Sequence, residues 1–209
     1  MILCDINSGV FYFQVIFSDE STFEVQLEQP RFVRVGEEPI TAAHMTQSHK
    51  LPPKVMIWGC MSQHGMGLIR VVEGSMNSEQ YIKTLQEQLK PQADQWFPSR
   101  EWILQQDNAP CHVSRRVKDF FINEEIDVLQ WPSNSPDMNP IETLWAIVKQ
   151  KLRRVTLVSK ADLINNLLNI CVRDNEVSRR IKQSCERLIA SMPRRVEALY
   201  KAKGGHTRF

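Results

Sequence analysis

The sequence predicts an α/β fold, in which a mixed central sheet is flanked by helices and followed by a helical C-terminal tail. Strand-like segments separated by short turns near the N-terminus favour an antiparallel meander. In the middle of the chain, a strand, helix, strand order indicates a parallel βαβ unit. Amphipathic repeats in the last third predict the helices of the tail.

The meander begins with residues 9–17, which are rich in aromatic and β-branched side chains and predict a strand that ends near Ser18 and Asp19. Gly65 and Gly67 predict a hairpin turn. Further predicted elements are strands at 33–35, 55–61 and 68–73 and a helix over 77–90.

The βαβ unit begins with the apolar run 102–104, which is typical of a strand buried on both faces and which leads to Asp107. A helix from about Ser114 and a strand over 126–129 follow. The next helix opens with Asn139, a capping residue, then proline, with Glu142 three residues after the cap. The tail helices are predicted at about 160–172, 176–190 and 193–202.

Charge divides the chain of 209 residues into an acidic body and a basic tail. Residues 1–150 contain 12 Lys and Arg against 19 Asp and Glu, a net charge of −7, whereas residues 151–209 contain 14 against 5, a net charge of +9. A basic tail suits a polyanion, because binding phosphates releases condensed counterions. The alternative is that these charges form the solvated faces of amphipathic helices.

Other classes of protein are excluded by composition. No apolar run approaches the roughly 20 residues of a membrane span, and the N-terminus has no basic leader, so we expect an intracellular protein. The five scattered cysteines predict reduced thiols rather than a disulfide framework. Cys111 and His112 are neighbours, but they lack two further ligands at zinc spacing.

Three acids occupy positions that chemistry could use: Asp19 and Asp107 at predicted strand ends, and Glu142 in the first turn of a helix. If the two strands are neighbours, the aspartates lie close together, and a helix packed on that edge adds the glutamate. Such carboxylates repel one another unless a cation lies between them. Oxygen ligands favour Mg²⁺ or Mn²⁺, and two such ions can promote phosphodiester cleavage.

Each acid also has an ordinary structural interpretation. Asp19 could be a turn residue after a strand, and Asp107 could form a simple Asx turn. Glu142 could be only the capping-box partner of Asn139. The residues alone leave these alternatives open.

Several motifs in order closely resemble the catalytic domain of Tc/mariner transposases. They are 15–21 (VIFSDES), 55–60 (VMIWGC), 105–112 (QQDNAPCH) and 131–142 (WPSNSPDMNPIE) followed by Leu144 and Trp145. Thirty-four residues separate Asp107 from Glu142, the spacing of the Tc branch of that family. The resemblance extends from about residue 12 through the tail.

The resemblance implies an RNase H-like fold in which Asp19, Asp107 and Glu142 are the catalytic DDE residues and ligate two Mg²⁺ or Mn²⁺ ions. It also implies cut-and-paste transposition in the nucleus: hydrolysis at transposon ends, then attack of the 3′-OH on target DNA at TA dinucleotides. His112, Asn108 and Asn139 become candidates for supporting the ligands or contacting DNA, although simple packing of His112 is an equal alternative.

The domain organisation follows from the same resemblance. We expect residues 1–155 to form the DDE core and residues 156–209 to form a basic helical extension of it. DNA-binding candidates in the tail region are Arg153, Arg154, Arg194 and Arg195. The long segment 28–53 is expected either to contact a partner subunit in a homodimer or to be a surface loop. Only 18 residues precede Asp19, so the family's helix-turn-helix modules are expected to be missing.

Three functions are therefore compatible with the sequence. The first is a metal-dependent DNA nuclease and strand transferase. The second is a catalytically silent, transposase-derived protein that binds DNA or another partner. The third is a hydrolase of RNA–DNA hybrids, which would share the fold and metals, but the motif at 131–142 argues against it.

Overall fold

A four-stranded mixed sheet lies at the centre of the protein. The computed structural model describes residues 11–25, 53–129, 138–173 and 175–202. The strands are β1 (Val15–Glu24), β2 (Lys54–Ser62), β3 (Gly65–Val72) and β4 (Ile103–Gln105), in the spatial order β3-β2-β1-β4. β1, β2 and β3 are antiparallel, and β4 is parallel to β1. The predicted mixed sheet is confirmed.

The boundaries of the first strand were predicted wrongly. Residues Phe11–Gln14 form a 3₁₀-helix, and β1 then runs from Val15 through Glu24, so Asp19 lies in the middle of the strand. The strand continues because β2 pairs with it from Phe17 to Glu24. The strand predicted at 33–35 lies outside the described residues.

The strand predicted at 126–129 is also wrong in extent. It is reduced to one parallel bridge between Leu104 and Val128, supported by hydrogen bonds from Leu104 N to Asp127 O and from Leu129 N to Leu104 O, each 2.8 Å. β4 has only three residues, so there is little strand for this segment to pair with.

Helices cover both faces of the sheet. They are α1 (Ser78–Thr84), a π-helical turn (Leu85–Leu89), α2 (Lys90–Trp96), α3 (Arg115–Asn123), α4 (Pro140–Leu152), α5 (Lys160–Cys171), α6 (Glu176–Ala190) and α7 (Met192–Lys201). In the described part of the chain, none of these helices has the length and apolar character needed to cross a membrane.

The helix predicted over 77–90 begins as expected but extends to Trp96. Asn77 and Gln80 form a reciprocal capping box at its start. Pro91 would interrupt a regular helix, because it has no N–H and its ring collides with the carbonyl one turn earlier. The preceding π-helical turn, in which Lys90 N–H bonds to Leu85 O, widens the helix at this point.

The sheet separates two apolar clusters, because alternate side chains of a strand point to opposite faces. On one face, Ile16 packs with α1, α2 and α3. On the other, Val15 and Phe17 pack with α4, α5, α6 and Met192 of α7. The tail helices therefore contribute buried side chains to the same cluster as the N-terminal strand.

Candidate active site

The register between β1 and β4 brings two of the three predicted acids together. Phe17 is paired with Gln105 in this parallel ladder, and Ser18 Oγ donates a hydrogen bond to Gln105 O at 3.1 Å. Asp19 lies two residues after Phe17, and Asp107 lies two residues after Gln105. Two segments that run parallel therefore carry their aspartates to the same edge of the site.

Close packing of α4 on the sheet adds the third acid. Asp19 is paired across β2 with Gly59, which has no side chain. A Cβ at Gly59 would lie 2.7 Å from Trp145 Cη2, so only glycine allows this indole to approach so closely. Trp145 also meets Phe23 of β1 edge to face, with ring centroids 5.7 Å apart. Because Trp145 lies three residues after Glu142, its docking brings the first turn of α4 to the Asp19 side of the sheet.

Electrostatics link these acids. The pKa of Asp19 is raised to about 7, first by burial and then by the negative charges of Glu20, Glu142 and Asp107. A hydrogen bond from the Glu20 backbone partly opposes this rise. Two acids from distant parts of the chain, Glu142 and Asp107, therefore both act electrostatically on Asp19.

Asp107 is held by its own loop. Its Oδ1 accepts a hydrogen bond from Ala109 N–H at 3.0 Å and lies 2.6 Å from His112 Nδ1. The bond from His112 is the main cause that lowers the pKa of Asp107; burial opposes it, and the bond from Ala109 adds to it. The predicted Asx turn is therefore present, and the side chain that forms it also faces the site.

His112 joins two carboxylates. The side chain is 3% exposed, and its Nε2 lies 3.2 Å from Glu20 Oε1. Burial lowers the pKa of His112, but the hydrogen bonds to Asp107 and Glu20 outweigh it and raise the pKa. Each ring nitrogen of His112 therefore faces a carboxylate oxygen, an arrangement that favours the protonated ring.

An aromatic ring packs against His112. The ring of Tyr81, in α1, stacks on His112 with centroids 4.0 Å apart, and its hydroxyl donates to Gln106 Oε1. Neither Glu20 nor Tyr81 was predicted from the sequence. The period-two rule for strands could have placed Glu20 on the face opposite Asp19, but no local signal connects Tyr81 with His112.

The first turn of α4 has an unusual start. Asn139 precedes the helix, but its side chain makes no capping hydrogen bond, so the capping-box interpretation of Glu142 is wrong. Asn139 is 5% exposed, and its Oδ1 has no hydrogen-bond partner among the described residues. Asn108, the other predicted supporting amide, is exposed.

Comparison with known proteins agrees with this arrangement. Residues 14–164 match a family model described as DDE superfamily endonuclease. The chain is 32% identical over 201 residues to the Tcb1 transposase of Caenorhabditis briggsae, covering 93% of this chain and 70% of that protein. It is 36% identical over 155 residues to the Tc1 transposase of Caenorhabditis elegans, covering 74% of this chain and 54% of that protein. The chain belongs to the Tc/mariner family of DDE transposases.

Solved structures support the fold of this Tc/mariner chain. The catalytic domain of Mos1 mariner transposase superposes with a TM-score of 0.75 at 19% identity, covering 99% of this chain and 90% of that one. The Mos1 chain in a paired-end complex with Mn gives a TM-score of 0.78 at 19% identity, and this chain spans 60% of it. The fold is therefore RNase H-like, as the sequence resemblance implied.

The three acids are of a chemical type that fits a hard divalent cation, but the described side chains are too far apart for three of them to bind one ion. Asp19, Asp107 and Glu142 of this transposase domain offer only carboxylate oxygens, which suit Mg²⁺ or Mn²⁺. Burial, and after it the negative charges of Glu20, Glu142 and Asp107, raise the pKa of Asp19, and a bound cation would favour its ionised form. Among the residues that the structure describes, no three His, Cys, Asp or Glu side chains are close enough to hold one ion. Residues 130–137, which lead into α4, lie outside that part.

The predicted tail arginines differ in their surroundings. Arg153, Arg154 and Arg194 are exposed. Arg195 is 4% exposed and donates hydrogen bonds to Ser191 Oγ and Thr143 Oγ1, so it is not on the surface where a DNA-binding tail requires it. The solvated-face hypothesis also fails for this residue, because helix α7 turns the side chain inward.

Proposed function

We propose that this chain cuts and joins DNA as a transposase catalytic domain, with Asp19, Asp107 and Glu142 as the ligands of two Mg²⁺ or Mn²⁺ ions. The observation that carries the proposal is geometric. The parallel register of β1 and β4 aligns Asp19 with Asp107, and the contact of Trp145 with Gly59 docks the helix that bears Glu142 beside them. Structures of the Mos1 catalytic domain with Mg and with Mn support the choice of ions.

Bound ions of this kind activate an attacking oxygen and stabilise the leaving oxygen of a phosphodiester. The protein's own residues then have defined tasks. Asp107 is held by Ala109 N–H and His112, so one of its oxygens is fixed in orientation. Asp19 is fixed by its pairing with Gly59 of β2, two residues after the last β1 residue that pairs with β4. Rigid placement of charge is the main requirement of phosphoryl transfer.

The substrate in this proposal is DNA. Mos1 transposase has been solved in a paired-end complex with its left transposon end and in a strand transfer complex, and this chain shares that fold. We assign cleavage at transposon ends and joining at TA dinucleotides to the full-length proteins of this family. The exposed Arg153, Arg154 and Arg194 are the candidate DNA contacts. Residues 28–53, of which 28–52 lie outside the described part of the chain, remain the candidate dimer contact.

The direct test is nicking of supercoiled plasmid by the purified chain with Mn²⁺. Asp107→Asn removes a ligand charge and is expected to reduce nicking by about 1,000-fold or more. Asp119→Asn is the matched control, because Asp119 is an exposed aspartate on α3, and it should nick like the wild type. Equal nicking by wild type and Asp107→Asn would overturn the assignment of the site.

A silent DNA-binding protein is the second candidate. The observation that favours it is the absence, among the described residues, of three acids within reach of one ion. Thermal stabilisation by Mn²⁺ without nicking of plasmid would support this candidate against the first. Cleavage of an RNA–DNA hybrid, with no cleavage of duplex DNA, would instead support an RNase H-type hydrolase.

A further inference from the structure

A buried arginine connects the C-terminal helix to the helix that bears Glu142. Arg195 Nη2 donates to Thr143 Oγ1 at 3.2 Å, across 52 residues of sequence. Its Nε donates to Ser191 Oγ at 3.1 Å, and that hydroxyl donates to Leu188 O at 2.6 Å. The guanidinium is therefore fixed from two sides: at the junction of α6 and α7, and at the first turn of α4.

Burial makes this contact significant. Arg195 is 4% exposed, whereas an unpaired guanidinium is rarely withdrawn from water. Arginine cannot lose its charge in a protein, so its position is maintained by the hydrogen bonds that it donates. A flexible surface arginine would not hold a neighbouring helix in this way.

The first turn of α4, to which Arg195 donates a hydrogen bond, has no side-chain capping bond. Asn139 makes no side-chain capping bond, whereas Asn77 and Asn175 cap α1 and α6 with full capping boxes. Thr143 is the residue immediately after Glu142. The hydrogen bond from Arg195 to Thr143 is therefore made to a helix turn that lacks a capping bond from its own N-cap residue, Asn139.

We propose that Arg195 is a positioning residue that holds Thr143 and thereby fixes the first turn of α4, so that Glu142 is presented to the metal site. This inference rests on the proposed function. It assigns α7 a role in the active site that differs from DNA binding: the C-terminal helix holds the third acid in place. Arg195 itself does not touch substrate or metal.

The test uses the full chain and three variants at the contact. Thr143→Val removes the acceptor with little change of shape, Arg195→Lys keeps the charge but loses the guanidinium fork, and Thr143→Ser keeps the hydroxyl. Arg194→Lys is the matched control, because Arg194 is exposed on the same helix. Mn²⁺ affinity is measured by calorimetry, and amide hydrogen exchange at residues 142–145 is measured without metal.

Thr143→Val and Arg195→Lys should each weaken Mn²⁺ binding by about fivefold, the value of one lost hydrogen bond, and accelerate exchange at 142–145. The double variant should lose no more Mn²⁺ affinity than Arg195→Lys alone, because Arg195→Lys already breaks the bond to Thr143. Thr143→Ser and Arg194→Lys should match the wild type. Should Arg195→Lys fail to fold, Thr143→Val and its serine rescue still decide the matter.

The outcomes separate this inference from the proposed function. Unchanged exchange at 142–145 in Thr143→Val, or losses that add in the double variant, would overturn the positioning role. Faster exchange with unchanged Mn²⁺ affinity would also overturn it, because the contact would then be purely structural. Failure of the wild type to bind Mn²⁺ would overturn the metal site itself, while the exchange data would still report on the Arg195 contact.

Discussion

The two faces of the sheet hold their acids by different means. On the α1 and α3 face, Glu20 is tied by hydrogen bonds to His112, which also holds Asp107. On the α4 face, Glu142 is placed by the packing of Trp145 on Gly59 and by the bond from Arg195 to the next residue.

This difference has a physical consequence. Hydrogen bonds within the six-residue loop 107–112 fix Asp107 even if the rest of the core relaxes, whereas the position of Glu142 depends on how closely a helix packs on the sheet. Errors in packing should therefore move Glu142 first. Loss of the histidine should act on Asp107 and leave α4 in place.

The largest effect is expected at Gly59. Gly59→Val places side-chain atoms where Trp145 lies, so the free energy of unfolding should fall by about 3 kcal/mol, the upper range for overpacking. Mn²⁺ binding should weaken as well, because α4 must move. Chemical denaturation and calorimetry measure the two effects.

A double-mutant cycle provides the control for Gly59. Trp145→Phe removes Cη2 and Cζ2, the two ring atoms that a Cβ at position 59 would meet. It should therefore cost less stability in a Gly59→Ala background than in the wild type. Equal costs in both backgrounds would show that this contact does not set the distance between α4 and the sheet.

The next effect is expected at His112. His112→Phe keeps a ring to stack on Tyr81 but removes both hydrogen bonds, leaving the partly buried Glu20 without its donor. Stability should fall by about 2 kcal/mol, and Mn²⁺ affinity by about tenfold. Hydrogen exchange at 142–145 should stay unchanged. A change there would contradict the separation of the two faces.

The helix caps give a smaller effect that tests the same distinction. Asn77→Ala removes a capping-box bond and should cost about 1 kcal/mol of stability, and Asn175→Ala, which also removes the bond from Nδ2 to Asn169 O, should cost at least as much. Asn139→Ala removes no capping bond, so it should cost less than about 0.5 kcal/mol. A cost at Asn139 equal to the other two would mean that α4 is also held by its cap. Urea denaturation of the three variants provides the comparison.

The smallest effect concerns pH and lies away from the site. Burial, with a smaller contribution from Lys182, lowers the pKa of His64, whose ring packs against Trp96 and Phe97. The folded state therefore binds fewer protons than the unfolded state, so this histidine's stabilisation is present above pH about 6.5 and is lost below it. His64→Phe should reduce the fall in Tm between about pH 7.5 and 5.5. An identical pH dependence in both proteins would contradict this.

Local sequence signals determined much of the secondary structure. Asn77 and Ser114 begin helices where the sequence predicted them, because a capping bond involves only residues within one turn. The predicted hairpin is present, but its turn is at residues 63–64: Gly65, with φ of +126°, begins β3 directly after the turn, and Gly67 lies inside that strand. The motifs around Asp19, Asp107 and Glu142 are likewise sufficient to predict the three acids of the proposed site.

Tertiary structure decided the rest, because strand pairing and burial depend on residues far apart in the chain. Asp19 lies within a strand rather than at its end because β2 pairs beyond it, and 126–129 form only a bridge because β4 is short. The charge pattern of the tail showed a basic segment, but only the packed helices showed that Arg195 is buried against Thr143. A sequence specifies which groups are available, and the packing of distant segments determines which of them meet.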